Sequence, residues 1–160
     1  MLKKLKPELN VVLLDGEEYG GIGSNHLSQQ INDGKFGNIP WVLNLELTGK
    51  GGEYFFIGDY SGPLFDHIKS IFDCPVVRTP FNDSVIFRKN GIDSVVINPL
   101  PPLREATDED KKNPNNVIYK GMLLDFKLLY NCHTPKDTID TISTDDMKDF
   151  VEKILMKILE

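Results

Sequence analysis

The apolar positions of this chain fall into short unbroken runs separated by glycine- and proline-marked turns. Val11–Leu14, V-V-L-L, has no polar alternation, which suits a strand buried on both faces of a parallel sheet. Pro40–Leu47, Glu53–Ile57, Val76–Val77 and Ser94–Ile97 read as further strands, and Asn98–Asn116, rich in Pro, Asp and Lys, shows no period and reads as a loop. Helical spacing lies between them. Ser24 can cap a helix through Leu27, Gln30 and Ile31 that stops at Asn32-Asp33-Gly34. Pro63–Phe72 places Leu64, Ile68, Ile71 and Phe72 on one face, and Asp83–Lys89 is a helical turn ended by Asn90-Gly91. A helix is expected over Met122–Tyr130, then a turn over Asn131–Asp137. The closing helix is capped by Ser143 or Thr144, with Met147, Phe150, Val151, Ile154, Leu155 and Ile158 as its buried stripe. Alternating strands and helices make this α/β, a mostly parallel sheet flanked by helices, in a single domain over residues 1–160.

Composition narrows the partners. The 160 residues suffice for one domain with a real core, and 40% hydrophobic with 26% charged residues is ordinary for a globular protein. A net charge of −6 argues against a nucleic-acid backbone and against an anionic membrane surface. No apolar stretch reaches transmembrane length, and the basic start M-L-K-K-L-K-P-E has no following apolar core, so neither a span nor a secretory signal is expected. Cys74 and Cys132 form no C-x-x-C motif. A reducing, cytoplasmic setting is the default for such a chain.

The chemistry concentrates after the first apolar run. Asp15-Gly16-Glu17-Glu18, interleaved with Gly20, Gly21 and Gly23, is either an acidic surface turn or a ligand site at a strand end. Adjacent carboxylates can divide the work, one binding a metal and the other acting as general base on water. Glu46, near the end of an apolar run, is costly there unless paired or cation-bound. His26 and His67 read as surface residues on helices. His133, in the turn N-C-H-T-P-K-D-T, is better placed for ligation, and with Glu18 and Glu46 it makes a sound zinc set.

The string D-G-E-E-Y-G-x-x-G-S after V-V-L-L resembles the zinc aminopeptidase family typified by aminopeptidase Y. That family also contains the glutaminyl cyclases, glutamate carboxypeptidase and the non-catalytic transferrin receptor. Asn44-Leu45-Glu46 with T-G-x-G-G resembles its N-L-[DE]…G segment. Asn82-Asp83 through Phe87 and Gly91-Ile92 resembles S-D-H-x-x-F-x-x-x-G-I, and His133 with Asp137-Thr138 resembles H-T-x-x-D-T. The resemblance implies Glu17 as general base, Glu18 and His133 as ligands of one zinc, Glu46 as ligand of the other, and Asp83 beside the substrate cleft. It implies a zinc-exopeptidase-like (phosphorylase/hydrolase-like) fold and a peptide or small amino-acyl substrate.

The departures are specific. The family's H-x-D motif supplies a His to one metal and an Asp bridging both, yet none of His26, His67 or His133 has Asp two residues on. Ser84 stands where the S-D-H segment carries His. The chain thus resembles the C-terminal part of the catalytic domain, N-terminally incomplete, and weak or partial zinc occupancy is expected. Three readings follow: a zinc exopeptidase, an inactive binding module, or a glutaminyl-cyclase-like acyl transfer. A sheet edge left bare would call for cover, which a homo-oligomer could provide.

Overall fold

The computed structural model describes residues 9–46, 54–79, 81–100, 103–124, 134–136 and 138–160. Its main sheet is built on the most apolar strand. β4 (Ser94–Leu100) is buried along its whole length, and flanking strands supply the hydrogen bonds that its buried backbone needs. β1 (Val42–Leu45) pairs with it in parallel, placing Leu45 opposite Ile97. β2 (Tyr54–Gly58) pairs with its other side antiparallel, placing Ile57 opposite the same Ile97. β3 (Val76–Val77) continues beyond β2 in parallel, giving the order β1-β4-β2-β3. The fold is α/β as expected. The sheet is mixed, because β2 runs against β4.

Helices cover this sheet. α2 (Pro63–Ile71) begins with proline at its first turn, where no backbone donor is needed, and the Leu64 amide donates to Asp93 Oδ2 at 2.8 Å. α3 (Asp83–Lys89) is capped by Asn82, whose Oδ1 accepts from the Ser84 amide at 2.9 Å. α1 (Ile22–Asn32) packs on α3 and buries two small hydroxyls, Ser24 and Ser28, which donate to the carbonyls of Gly21 and Ser24. The C-terminal helix starts as α5 (Thr144–Phe150) and passes through a π-helical turn at Val151–Leu155. It ends as α6 (Met156–Ile158). Ser143 caps it by accepting from the Asp146 amide at 3.1 Å. Phe150, Ile154 and Ile158 enter the core beside Phe55, Ile57, Leu64, Ile68, Val95 and Ile97, and His67 ties α2 to the Ile158 carbonyl.

Several expectations change. Val11–Leu14 joins no ladder among the described residues, and Val11 and Leu13 are 75% and 95% exposed. An apolar run becomes a buried strand only where neighbours take its amides and carbonyls, and here none does. Ser24 lies inside α1 rather than capping it; Gly21, in the left-handed region, precedes the helix. Met147 is 38% exposed, off the buried stripe. The supposed loop 98–116 holds the end of β4, β5 (Arg104–Glu105) and α4 (Asp108–Lys112). Met122–Leu124, expected to open a helix, is β7, hairpin partner of β6 (Val117–Tyr119); with β5 they form a second sheet, β5-β7-β6. Residues 125–130, the rest of that expected helix, lie outside the described residues, as do the segments 1–8 and 131–133. Among the described residues, no helix is long and apolar enough to cross a membrane.

Candidate active site

The glycine-rich segment after Leu14 forms a tight double turn. The amides of Gly20 and Gly21 donate to the Glu17 carbonyl at 3.0 and 2.9 Å, and Ile22 donates to Gly16 at 3.1 Å. Two glycines fix where this loop lies. A Cβ on Gly21 would stand 2.9 Å from Cγ1 of Ile86 on α3, and one on Gly23 would stand 2.5 Å from the Asp15 carbonyl oxygen. The loop bearing Glu17 and Glu18 is therefore clamped onto α3 by close backbone approach.

Two further carboxylates reach the same neighbourhood from other elements. Glu46 follows β1 directly, its amide donating to the Ile97 carbonyl at 3.0 Å. Its Oε1 accepts from Asn44 Nδ2 at 2.8 Å. Asn44 and Glu46 are two apart on an extended chain, so both side chains leave the same face. That spacing was a signal for Asn44 as the partner of Glu46, and sequence reasoning gave Asn44 no role. Asp83 opens α3, which packs against both α1 and β1. It is only 6% exposed, and its Oδ1 has no hydrogen-bond partner among the described residues.

The four acids share one electrostatic field. Burial raises the pKa of Glu17 above the ordinary carboxylate value, and the charges of Glu18, Glu46 and Asp83 raise it further. Glu46 is also raised, by burial first and then by Asp83 and Glu18, against the opposing bond from Asn44. Glu17, Glu18, Glu46 and Asp83 thus lie near enough for their charges to act on one another. His133, with Asp137, lies outside the described residues. His26 is exposed beside Gln30, and His67 is held by the C-terminal helix.

The described donors are only part of a zinc set. Among the described residues no three His, Cys, Asp or Glu side chains group as an ion requires. Glu18 and Glu46 would supply the oxygen donors, and imidazole, which zinc favours, would have to come from His133. Beside the acids run two hollows that the sequence reading did not foresee. A pocket of about 260 Å³ is lined by Leu14–Tyr19, including both glutamates. A shallow apolar groove of about 700 Å³ extends from it along Val12, Leu13, Tyr19, Ile22, Leu27 and Phe36.

The model of Peptidase family M28 matches residues 1–158, and the chain belongs to that family. Two solved structures share its fold. The aminopeptidase from Aneurinibacillus sp. strain AM-1 superposes with a TM-score of 0.58 at 18% identity, over 91% of this chain and 31% of that one. BSAP, a zinc aminopeptidase from Bacillus subtilis, gives 0.53 at 16% identity, over 85% of this chain and 32% of that one. The chain thus spans about a third of the length of each. No curated protein matches it.

Proposed function

We propose that this chain carries the acidic half of an aminopeptidase site, which cleaves the N-terminal peptide bond of peptides or small amino-acyl substrates with Glu17 as general base. What supports this is that the charges of Glu17, Glu18, Glu46 and Asp83, which come from three separate stretches of sequence, act on one another. Of the zinc ions implied by the family, one would be held by Glu18 with His133 and the other by Glu46, supplying Lewis-acid polarisation and a lowered water pKa when bound. Without the bridging Asp of the family motif, that holding is weak and partial.

The chain's own groups do the rest. Glu17 is adjacent to Glu18, so it can take a proton from an attacking water without leaving its turn. Its raised pKa brings its basicity nearer to neutral pH, where a general base is most effective. Asn44 orients Glu46 through the 2.8 Å bond. Asp83 borders the substrate cleft from α3.

The test is hydrolysis of amino-acid p-nitroanilides with added zinc by wild type, Glu17→Gln and His133→Ala. Glu17→Gln keeps shape and hydrogen bonding while removing the base, and general-base loss costs on the order of a hundredfold to ten-thousandfold in rate. Turnover unchanged by Glu17→Gln would rule the mechanism out. No turnover in any variant, with circular dichroism intact, would favour an inactive binding module.

A further inference from the structure

The apolar run ahead of the acidic loop lies uncovered. Val11, Val12 and Leu13 are exposed, and so are Tyr19, Ile22 and Phe36. All but Val11 line the one open groove of about 700 Å³. Together they present an apolar area at the top of the roughly 300–600 Å² that the largest patch on an ordinary monomer reaches. With its backbone, the patch approaches the roughly 800 Å² that each partner gives to a stable interface. The backbone is bare too. Among the described residues, no amide or carbonyl of Val11–Leu14 is paired in a ladder or a turn. Such an edge is a template for another strand.

The run is close to its own complement. In an antiparallel pair about a twofold axis, Val11 meets Leu14 and Val12 meets Leu13. Each copy then offers branched side chains and unpaired backbone to the same features of the other. Charge favours that direction. In the sequence Lys3, Lys4 and Lys6 precede the run, with Glu8 as the one acid among residues 1–8, and Asp15, Glu17 and Glu18 follow it. Antiparallel copies direct the basic start of each chain toward the acidic loop of the other, whereas parallel copies set acid against acid.

We propose that two copies of this chain pair through Val11–Leu14 as an antiparallel, isologous dimer, with Tyr19, Ile22 and Phe36 completing the apolar contact. The pairing stands without the peptidase reading, yet it bears on the same place. The groove and the pocket of Glu17 and Glu18 share Leu14, Asp15, Gly16 and Tyr19, so the second copy also walls the acidic pocket.

The experiment is sedimentation equilibrium of the whole chain from about 1 to about 200 µM, a range that brackets a micromolar association. The mass should rise from the 18.1 kDa of one chain toward twice that value. Leu13→Asp should weaken the dimer about thirtyfold or more, as loss of a central apolar contact does. In the dilute monomer the same change should leave urea stability alone, because Leu13 meets only the second copy. Tyr19→Ser serves where Leu13→Asp does not fold, and should weaken the dimer about tenfold. A dimer that these variants leave intact has its interface elsewhere and overturns the proposal. So does a monomer throughout the range, and slow amide exchange at Val11–Leu14 in that monomer would name another segment of the same chain as the cover. In a mixed sample of labelled and unlabelled copies, nuclear Overhauser contacts should join Val12 of one copy to Leu13 of the other. Contacts from Leu13 to Leu13 in their place would show a parallel pair and overturn the assignment.

Discussion

Val11–Leu14 and β4 look alike as sequence and end differently. In both, a run of branched apolar residues leads to a polar one, Leu14 to Asp15 and Ile97 to Asn98. β4 has β1 on one side and β2 on the other, and all seven of its residues are buried. Val11–Leu14 has no strand beside it among the described residues, and Leu13 is 95% exposed. The difference lies in the neighbours and not in the run. Apolar character supplies the incentive for burial, but a strand exists only where another backbone completes its hydrogen bonds.

The comparison can be broken most sharply at Ile97, which is fully buried between Leu45 and Ile57. Ile97→Ala should cost about 2–5 kcal/mol in urea unfolding, the range for a buried large-to-small change. A loss as small as that of a surface substitution would mean that β4 is not the centre of the core. At the end of the C-terminal helix that covers the same core, Ser143→Ala removes the acceptor for the Asp146 amide. It should cost about 1 kcal/mol by the same measurement.

A pH series sharpens the contrast between the acids at the two strand ends. Glu46 follows the paired strand β1 and Glu17 follows the unpaired run, and both have folded-state pKa values above the ordinary one. A group raised on folding adds stability below its unfolded value and loses it as pH climbs through the folded one. The contribution of these two groups to the stability of the metal-free chain should therefore fall as pH rises from about 4 through the carboxylate range. Glu46→Gln should flatten that fall more than a substitution of exposed Asp15, read from urea midpoints at each pH. An equal slope in Glu46→Gln would show that its burial is not retained in solution. The smallest effect is expected at Leu13→Ser. With the side chain in water already, stability should stay within about 0.5 kcal/mol. A larger loss would reveal that another surface, such as a second copy of the chain, covers Leu13 in solution.

The same logic explains what was legible beforehand. α2, α3 and β3 are legible in the sequence because each is fixed locally, by Pro63, by Asn82 with Asn90-Gly91, and by a short valine pair before a proline. α4 was missed inside a charged stretch, although Thr107 and Asp110 form a capping box whose T-x-x-D spacing is visible in the sequence. β7 reads as the start of a helix in the sequence because Met122–Leu124 has strong helix formers. The decisive residues were Lys120 and Gly121, both at positive φ, which turn two apolar triplets into a hairpin. Glu17, Glu18, Glu46 and Asp83 were each visible as acids at element ends. Their common field was not, since it arises from the packing of α3 against α1 and β1.

The clamp between Gly21 and Ile86 also sets the alphabet of tolerated residues. Gly20 and Gly21 sit side by side, both at positive φ, yet a Cβ on Gly20 meets nothing within 4 Å whereas one on Gly21 collides with Ser24 Oγ and Ile86. Asparagine, which visits the left-handed region readily, is compatible with position 20. Position 21 disfavours any side chain, since a Cβ there would force Ser24 or Ile86 to shift and the backbone angle is left-handed as well. In a library randomised at both sites and selected for folding, diversity should survive at one residue and collapse to a single letter at the next.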